Sequence, residues 1–126
     1  MYCIVLYNYI YLHTELQTMD IENSKAQLKK GVLELCILSI IANHDVYASD
    51  ILHIMKESEL LIVEGTLYPL LTRLKNEGLL AYRWEESKSG PPRKYYSITS
   101  EGQIFLEELK NSWKELEKSV KKISNK

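Results

Sequence analysis

The sequence has little net charge, few cysteines and no long apolar run, and each shortage removes a class of function. Its 126 residues carry a formal net charge of −1, so it lacks the uniformly basic surface that attracts phosphate without specificity. Any contact with nucleic acid needs a local basic patch. Two cysteines, Cys3 and Cys36, are too few for a disulfide framework and fit a reducing, cytoplasmic setting. Cys36 lies in an apolar run, where a small buried hydrophobe is expected and thiol chemistry is not. No Lys or Arg precedes Lys25, so the tyrosine-rich opening lacks the positive segment of a secretory signal. It is also shorter than the ~20 apolar residues needed to cross a bilayer, and no membrane partner is expected.

Reactive constellations are missing as well. His13, His44 and His53 are scattered, without metal-ligand spacing to cysteines or carboxylates. There is no glycine-rich phosphate loop, no Ser–His or Cys–His arrangement with an orienting acid, and no isolated carboxylate pair. Neither a metal nor a cofactor is expected, and the sequence does not read as an enzyme.

What remains is an ordinary globular composition, 45% hydrophobic and 26% charged, at a length that suits one domain. The abrupt change of composition after Met19 leads us to expect a start at Met19, with residues 1–18 an upstream extension or a flexible arm. Lys25 to Asn43 reads as a helix buried on most sides, because Leu28, Val32, Leu35, Ile37, Leu38, Ile40 and Ile41 exceed a single stripe. Asn43-His44-Asp45 breaks it. A second helix is expected from Ala48 or Ser49 to Ser58, with Ser49 as a candidate cap and Ile51, Leu52, Ile54 and Met55 facing inward. A third runs from about Glu64 to Glu77 on the spacing of Leu67, Leu70, Leu71 and Leu74, and Gly78 ends it. Leu79 to Trp84 and Lys94 to Ile98 form a hairpin, with 85–93 as a long solvated tip. Thr99 or Ser100 caps the last helix, and Ser100 with Gln103 has capping-box spacing. Leu106, Leu109, Trp113, Leu116, Val120 and Ile123 step by three and four along it, a helix–helix seam.

The expected fold is therefore mainly α with a small β-hairpin: a winged helix-turn-helix over 24–99 and a C-terminal dimerisation helix over 100–123. In such folds the third helix enters the major groove. Its outer face carries Thr66, Tyr68, Thr72, Arg73, Lys75 and Asn76, side chains able to reach phosphates and base edges. A merely solvated face has the same composition. The hairpin adds weight, since residues 87–98 contain Lys88, Arg93 and Lys94 and no acid. Of Tyr95 and Tyr96, one faces inward and one outward. Trp113 reads as core or dimer contact before ligand platform.

The chain also resembles the PadR-like transcriptional regulators, in particular the shorter members with one C-terminal dimerisation helix. The resemblance covers roughly residues 24–123. It rests on Lys30-Gly31-Val32-Leu33-Glu34-Leu35, on Glu64-Gly65-Thr66-Leu67-Tyr68-Pro69-Leu70-Leu71 leading to Arg73-Leu74 and Glu77-Gly78-Leu79-Leu80, on Gly90-Pro91-Pro92-Arg93-Lys94-Tyr95-Tyr96, and on Thr99-Ser100-Glu101-Gly102. It implies a homodimeric repressor on a pseudo-palindromic double-stranded operator, with Tyr68 and its neighbours reading DNA and Arg93-Lys94 gripping the backbone. It further implies release by a small aromatic or drug-like effector, for which Trp113 occupies the matching region. Two positions depart from the family pattern. Val63 replaces the usual capping Ser, and Tyr47-Ala48-Ser49-Asp50 replaces Tyr-Gly-Tyr-Glu. The rival expectation is a winged-helix module for protein–protein contact without direct DNA readout.

Overall fold

The computed structural model describes residues 2–125, and the side chains of all of these except 15–19. In order, the elements are α1 (Tyr2–Asn43), β1 (Val46–Tyr47), α2 (Ala48–Glu57), α3 (Glu64–Asn76), β2 (Leu80–Ser87), β3 (Gly90–Ile98) and α4 (Ser100–Ser124). The chain divides into two units, one up to Leu33 and one from Glu34. The first is helix throughout its described residues. The second holds the remaining elements, a mainly helical fold with a small open sheet in the winged helix-turn-helix arrangement.

Helix α1 begins at Tyr2, well before the expected Lys25. Residues 2–24 contain neither glycine nor proline, so the change of composition at Met19 carries no signal that would stop a helix.

In the second unit Ile37, Leu38 and Ile41 of α1, Ile51 and Met55 of α2, and Leu67, Leu71 and Leu74 of α3 form the core. Leu80, Tyr96 and Leu106 close it from the hairpin and α4. The sheet order is β1-β3-β2, antiparallel throughout. Strand β1 escaped the sequence reading: only two residues long, it pairs Val46 with Tyr96 and Tyr47 with Tyr95.

The hairpin is longer and its tip shorter than expected. Only Lys88 and Ser89 separate the strands, and Ser87 pairs with Gly90. Pro91 and Pro92 are accommodated because the register shifts between Glu85 and Ser87, leaving two residues of β3 opposite Glu86. Along that stretch β3 has β2 on one side only. Prolines are tolerated at bulges and free edges because no ladder donor is needed there.

Helix ends also correct the sequence reading. Ser49 does not cap α2; Asp50 reaches back to accept from the Tyr47 amide at 2.9 Å. At α4 the cap is Thr99, whose hydroxyl accepts from the Gly102 amide at 3.0 Å. Ser100 therefore lies inside the helix, and no Ser100–Gln103 box forms. Gly78 ends α3 with φ +80, the left-handed conformation that favours glycine.

Candidate nucleic-acid interface

Alternation along the strands divides the hairpin's side chains into two sets. Tyr82, Trp84, Lys94 and Tyr96 share the face turned toward α3: Tyr82 meets Tyr96 and Trp84 edge-on at 6.0 and 6.1 Å between centroids. Arg83, Glu85, Arg93 and Tyr95 share the other, where Tyr95 packs on Tyr47 at 4.7 Å. The question of the adjacent tyrosines is thus answered: Tyr96 is buried and Tyr95 is half-buried beside Tyr47. Burial holds the Tyr96 phenol above its ordinary pKa.

Between α3, the hairpin and the start of α2 lie two neighbouring clefts. One, of about 330 Å³, is lined by Ser49, Tyr68, Thr72, Trp84, Arg93 and Lys94 among others. The second, of about 220 Å³, is lined by Thr72, Lys75, Asn76, Tyr82 and Lys94 among others. Thr72 and Lys94 line both. Tyr68 is 48% exposed and Trp84 61% exposed, so large aromatic surfaces stand open beside cations.

The cations differ sharply in how they are engaged. Among the described residues, Lys75, Lys88, Arg93 and Lys94 make no ion pair, whereas Arg73 binds Glu77 at 3.0 Å and Glu34 at 3.5 Å. The Glu77 hydrogen bond, reinforced by Glu34, raises the Arg73 pKa further. Arg73 was expected on the DNA face; its guanidinium is instead committed to two carboxylates within the protein. Arg83 is similarly tied to Asp45 at 2.8 Å and Glu85 at 3.2 Å, and its pKa is raised chiefly by the Asp45 hydrogen bond.

Three of these four cations rest on aromatic rings. Arg93 lies 4.2 Å over the Tyr47 centroid and donates to the Ser49 hydroxyl. Lys94 lies 4.5 Å from the Tyr82 centroid and 5.5 Å from that of Trp84, and Lys75 reaches Tyr82 from α3 at 5.6 Å. A ring face attracts a cation without neutralising it, so these charges stay available to an anion. Lys88 stands exposed at the hairpin tip, and Thr66 is exposed in the first turn of α3 but lines neither cleft. Tyr47, Ser49, Tyr82 and Trp84 were missed as site residues, because strand register brings the three aromatics, and with Tyr47 the first turn of α2, beside Arg93 and Lys94.

A family model described as the transcriptional regulator PadR-like family matches residues 37–108, more than half of the chain. The chain belongs to the PadR-like family. Solved structures agree. A PadR-like transcription factor from Bacteroides fragilis is 56% identical, with 80% of this chain and 98% of that one covered and a TM-score of 0.69. A PadR family regulator from Eggerthella lenta is 34% identical, with coverages of 86% and 96% and a TM-score of 0.78. A PadR-like regulator from Bacillus cereus is 40% identical, with coverages of 79% and 98% and a TM-score of 0.70. PadR-family proteins are non-catalytic DNA-binding regulators, which accords with the cation-lined clefts between α3 and the hairpin.

The family's usual capping Ser is Val63 here, and the structure gives α3 no side-chain cap. In α4, Leu106 was expected at a dimer interface but is 0% exposed, part of the protomer's own core. Leu109 is half-buried, while Trp113, Leu116 and Val120 are exposed. Among the described residues no group of three metal-ligating side chains occurs, and no helix is long and apolar enough to cross a membrane.

Proposed function

We propose that this PadR-like protein is a cytoplasmic, ligand-responsive repressor that binds a pseudo-palindromic operator as a homodimer. The observation that carries the proposal is the convergence of Tyr68, Thr72 and Lys75 of α3 with Lys94 of the hairpin on two adjoining clefts, where among the described residues no carboxylate is bound to either lysine. Helix α3 enters a major groove. Thr66, Tyr68 and Thr72 face the bases, while Lys75, Lys88, Arg93 and Lys94 hold the phosphates.

Residues 24–99 act as the DNA-binding domain and 100–123 as the dimerisation helix. Support for dimerisation is the exposed row Trp113, Leu116 and Val120, with Leu116 58% exposed; an apolar helix stripe left in water in the single chain is stabilised by a partner. Two copies then present their α3 helices to successive major grooves about 34–36 Å apart. Trp113, 41% exposed, is the candidate contact for a small aromatic or drug-like effector. An effector that favours a DNA-incompetent dimer geometry lowers operator affinity by linkage.

The test is binding of the purified protein to its own upstream DNA and to a scrambled duplex at two salt concentrations. Affinity that is greater for the upstream duplex and falls steeply with salt is the expected result. Absence of binding to both duplexes, with an aromatic face that instead captures protein irrespective of salt, would put the protein-interaction module in its place.

A further inference from the structure

Lys75 and Lys94 come from different elements yet converge on one ring. Lys75 Nζ lies 5.6 Å and Lys94 Nζ 4.5 Å from the Tyr82 centroid, so the two charges are no farther apart than about 10 Å. Like charges brought this close repel, and among the described residues neither has a carboxylate to relieve it. Attraction to the ring offsets the repulsion, and both lysines line the cleft of about 220 Å³ that Thr72 and Asn76 also line.

Tyr82 is itself held in place. It sits opposite Tyr96 in the hairpin register and meets that buried ring edge-on, and it meets Trp84 edge-on as well. A ring fixed by two aromatic neighbours sets the positions of two flexible lysines. Long, unrestrained side chains lose rotamer freedom when they bind, and one already resting on a surface loses less.

We propose that Tyr82 is a positioning residue that gathers Lys75 of the recognition helix and Lys94 of the wing into one clamp for the phosphodiester backbone of DNA. The clamp rests on the DNA-binding reading above and adds to it a mechanical link: helix and wing grip the same stretch of backbone, so neither engages phosphate independently. Its ligand is the phosphate itself, and the clamp is indifferent to base sequence.

The experiment measures affinity and its salt dependence on a fluorescent duplex of arbitrary sequence and on the upstream duplex. The variants are Tyr82→Leu, Tyr82→Phe, Lys75→Ala, Lys94→Ala and the double lysine variant. Tyr82→Leu is expected to weaken binding to both duplexes by about the same factor and to lower the slope of log K against log salt by about one. Tyr82→Phe keeps the ring and restores both, which a hydroxyl-based role would not predict. The lysine variants are expected to be non-additive on the Tyr82 background and additive in Tyr82→Leu.

A folded Tyr82→Leu protein with the wild-type slope, beside a wild type that binds steeply, overturns the clamp alone. Should Tyr82→Leu fail to fold, the lysine variants decide on the wild-type ring. Additive losses there, or an unchanged slope, overturn the clamp. Salt-independent binding by the wild type overturns clamp and DNA-binding reading together.

Discussion

The Thr99 hydroxyl donates to the Gly78 carbonyl at 2.7 Å while accepting from the Gly102 amide at 3.0 Å. One side chain thus caps α4 and ties it to the residue that ends α3. The Thr99 amide adds a bond to the Leu79 carbonyl at 3.1 Å. Replacing Thr99 by Val removes both hydroxyl bonds without changing the shape, and a loss of about 1–2 kcal/mol is expected from the cap alone. Thr99→Ser should recover most of it. Urea unfolding of the three proteins checks this; equal midpoints would remove the cap from the stability account.

Gly102 is needed for close approach and not for backbone freedom. A Cβ there would lie 2.1 Å from the Leu79 carbonyl oxygen and 2.7 Å from Ile98 Cγ1. The Ile98 side chain can turn aside; the Leu79 backbone cannot. Alanine's better helix propensity, about 1 kcal/mol, is therefore outweighed by overpacking of about 1–3 kcal/mol or more. Thermal unfolding of Gly102→Ala is expected below wild type, and a raised Tm would show that α4 can shift away.

On the proposed function, Arg73 carries structural charge and Lys94 phosphate-binding charge. Arg73→Ala removes the pairing with Glu34 and Glu77 and should leave the salt slope of DNA binding near wild type. Lys94→Ala should reduce that slope by about one. A reversed ranking in fluorescence anisotropy would mean that the Arg73 ion pairs break on binding.

The two ends of the α4 apolar row should behave differently. Leu106→Ala opens a cavity in the protomer core and is expected to cost about 2–5 kcal/mol. Leu116→Lys should leave the fold intact and shift sedimentation toward monomer. Sedimentation unchanged at micromolar protein would place the self-association surface elsewhere.

Tyr47 offers a pH test. Its hydroxyl donates to Glu85 at 2.9 Å, and this bond, aided by desolvation, raises the phenol's pKa. Because folding favours the protonated form, the stabilisation is complete below the unfolded-state value of ~10 and is lost as pH rises through the higher folded value. The absorbance difference between wild type and Tyr47→Phe isolates this phenol in an alkaline titration. Its midpoint is expected above that of free tyrosine, and Glu85→Gln should bring it down; a midpoint at the free value contradicts the hydrogen bond.

Much of this fold was legible because its signals are local. The leucines of α3, the stop at Gly78 and the cation-bearing 87–98 segment each act within a few residues. The hairpin tip was misjudged because Pro91 and Pro92 punctuate a sequence strongly, yet β3 has a single neighbour at that point. Strand β1 was invisible because two residues carry no period; it exists because β3 offers a free edge at Tyr95 and Tyr96. Arg73 looked like an unpaired cation because one of its partners, Glu34, reaches it from another helix. Leu106 fitted the apolar row by spacing, and only packing shows that it belongs to the protomer's own core.

Because α3 ends and α4 begins at the same knot of main chain, α4 acts as a lever with its fulcrum at Thr99. Its 25 residues make an arm of about 37 Å. A tilt of about 5° at the fulcrum therefore sweeps the far end through about 3 Å, given that arm length. The knot itself contains one short side chain, two carbonyls and a glycine that admits no methyl group. Val120 stands about 30 Å along that arm, so a sideways load there bears on the same hydrogen bonds that join α4 to the end of α3.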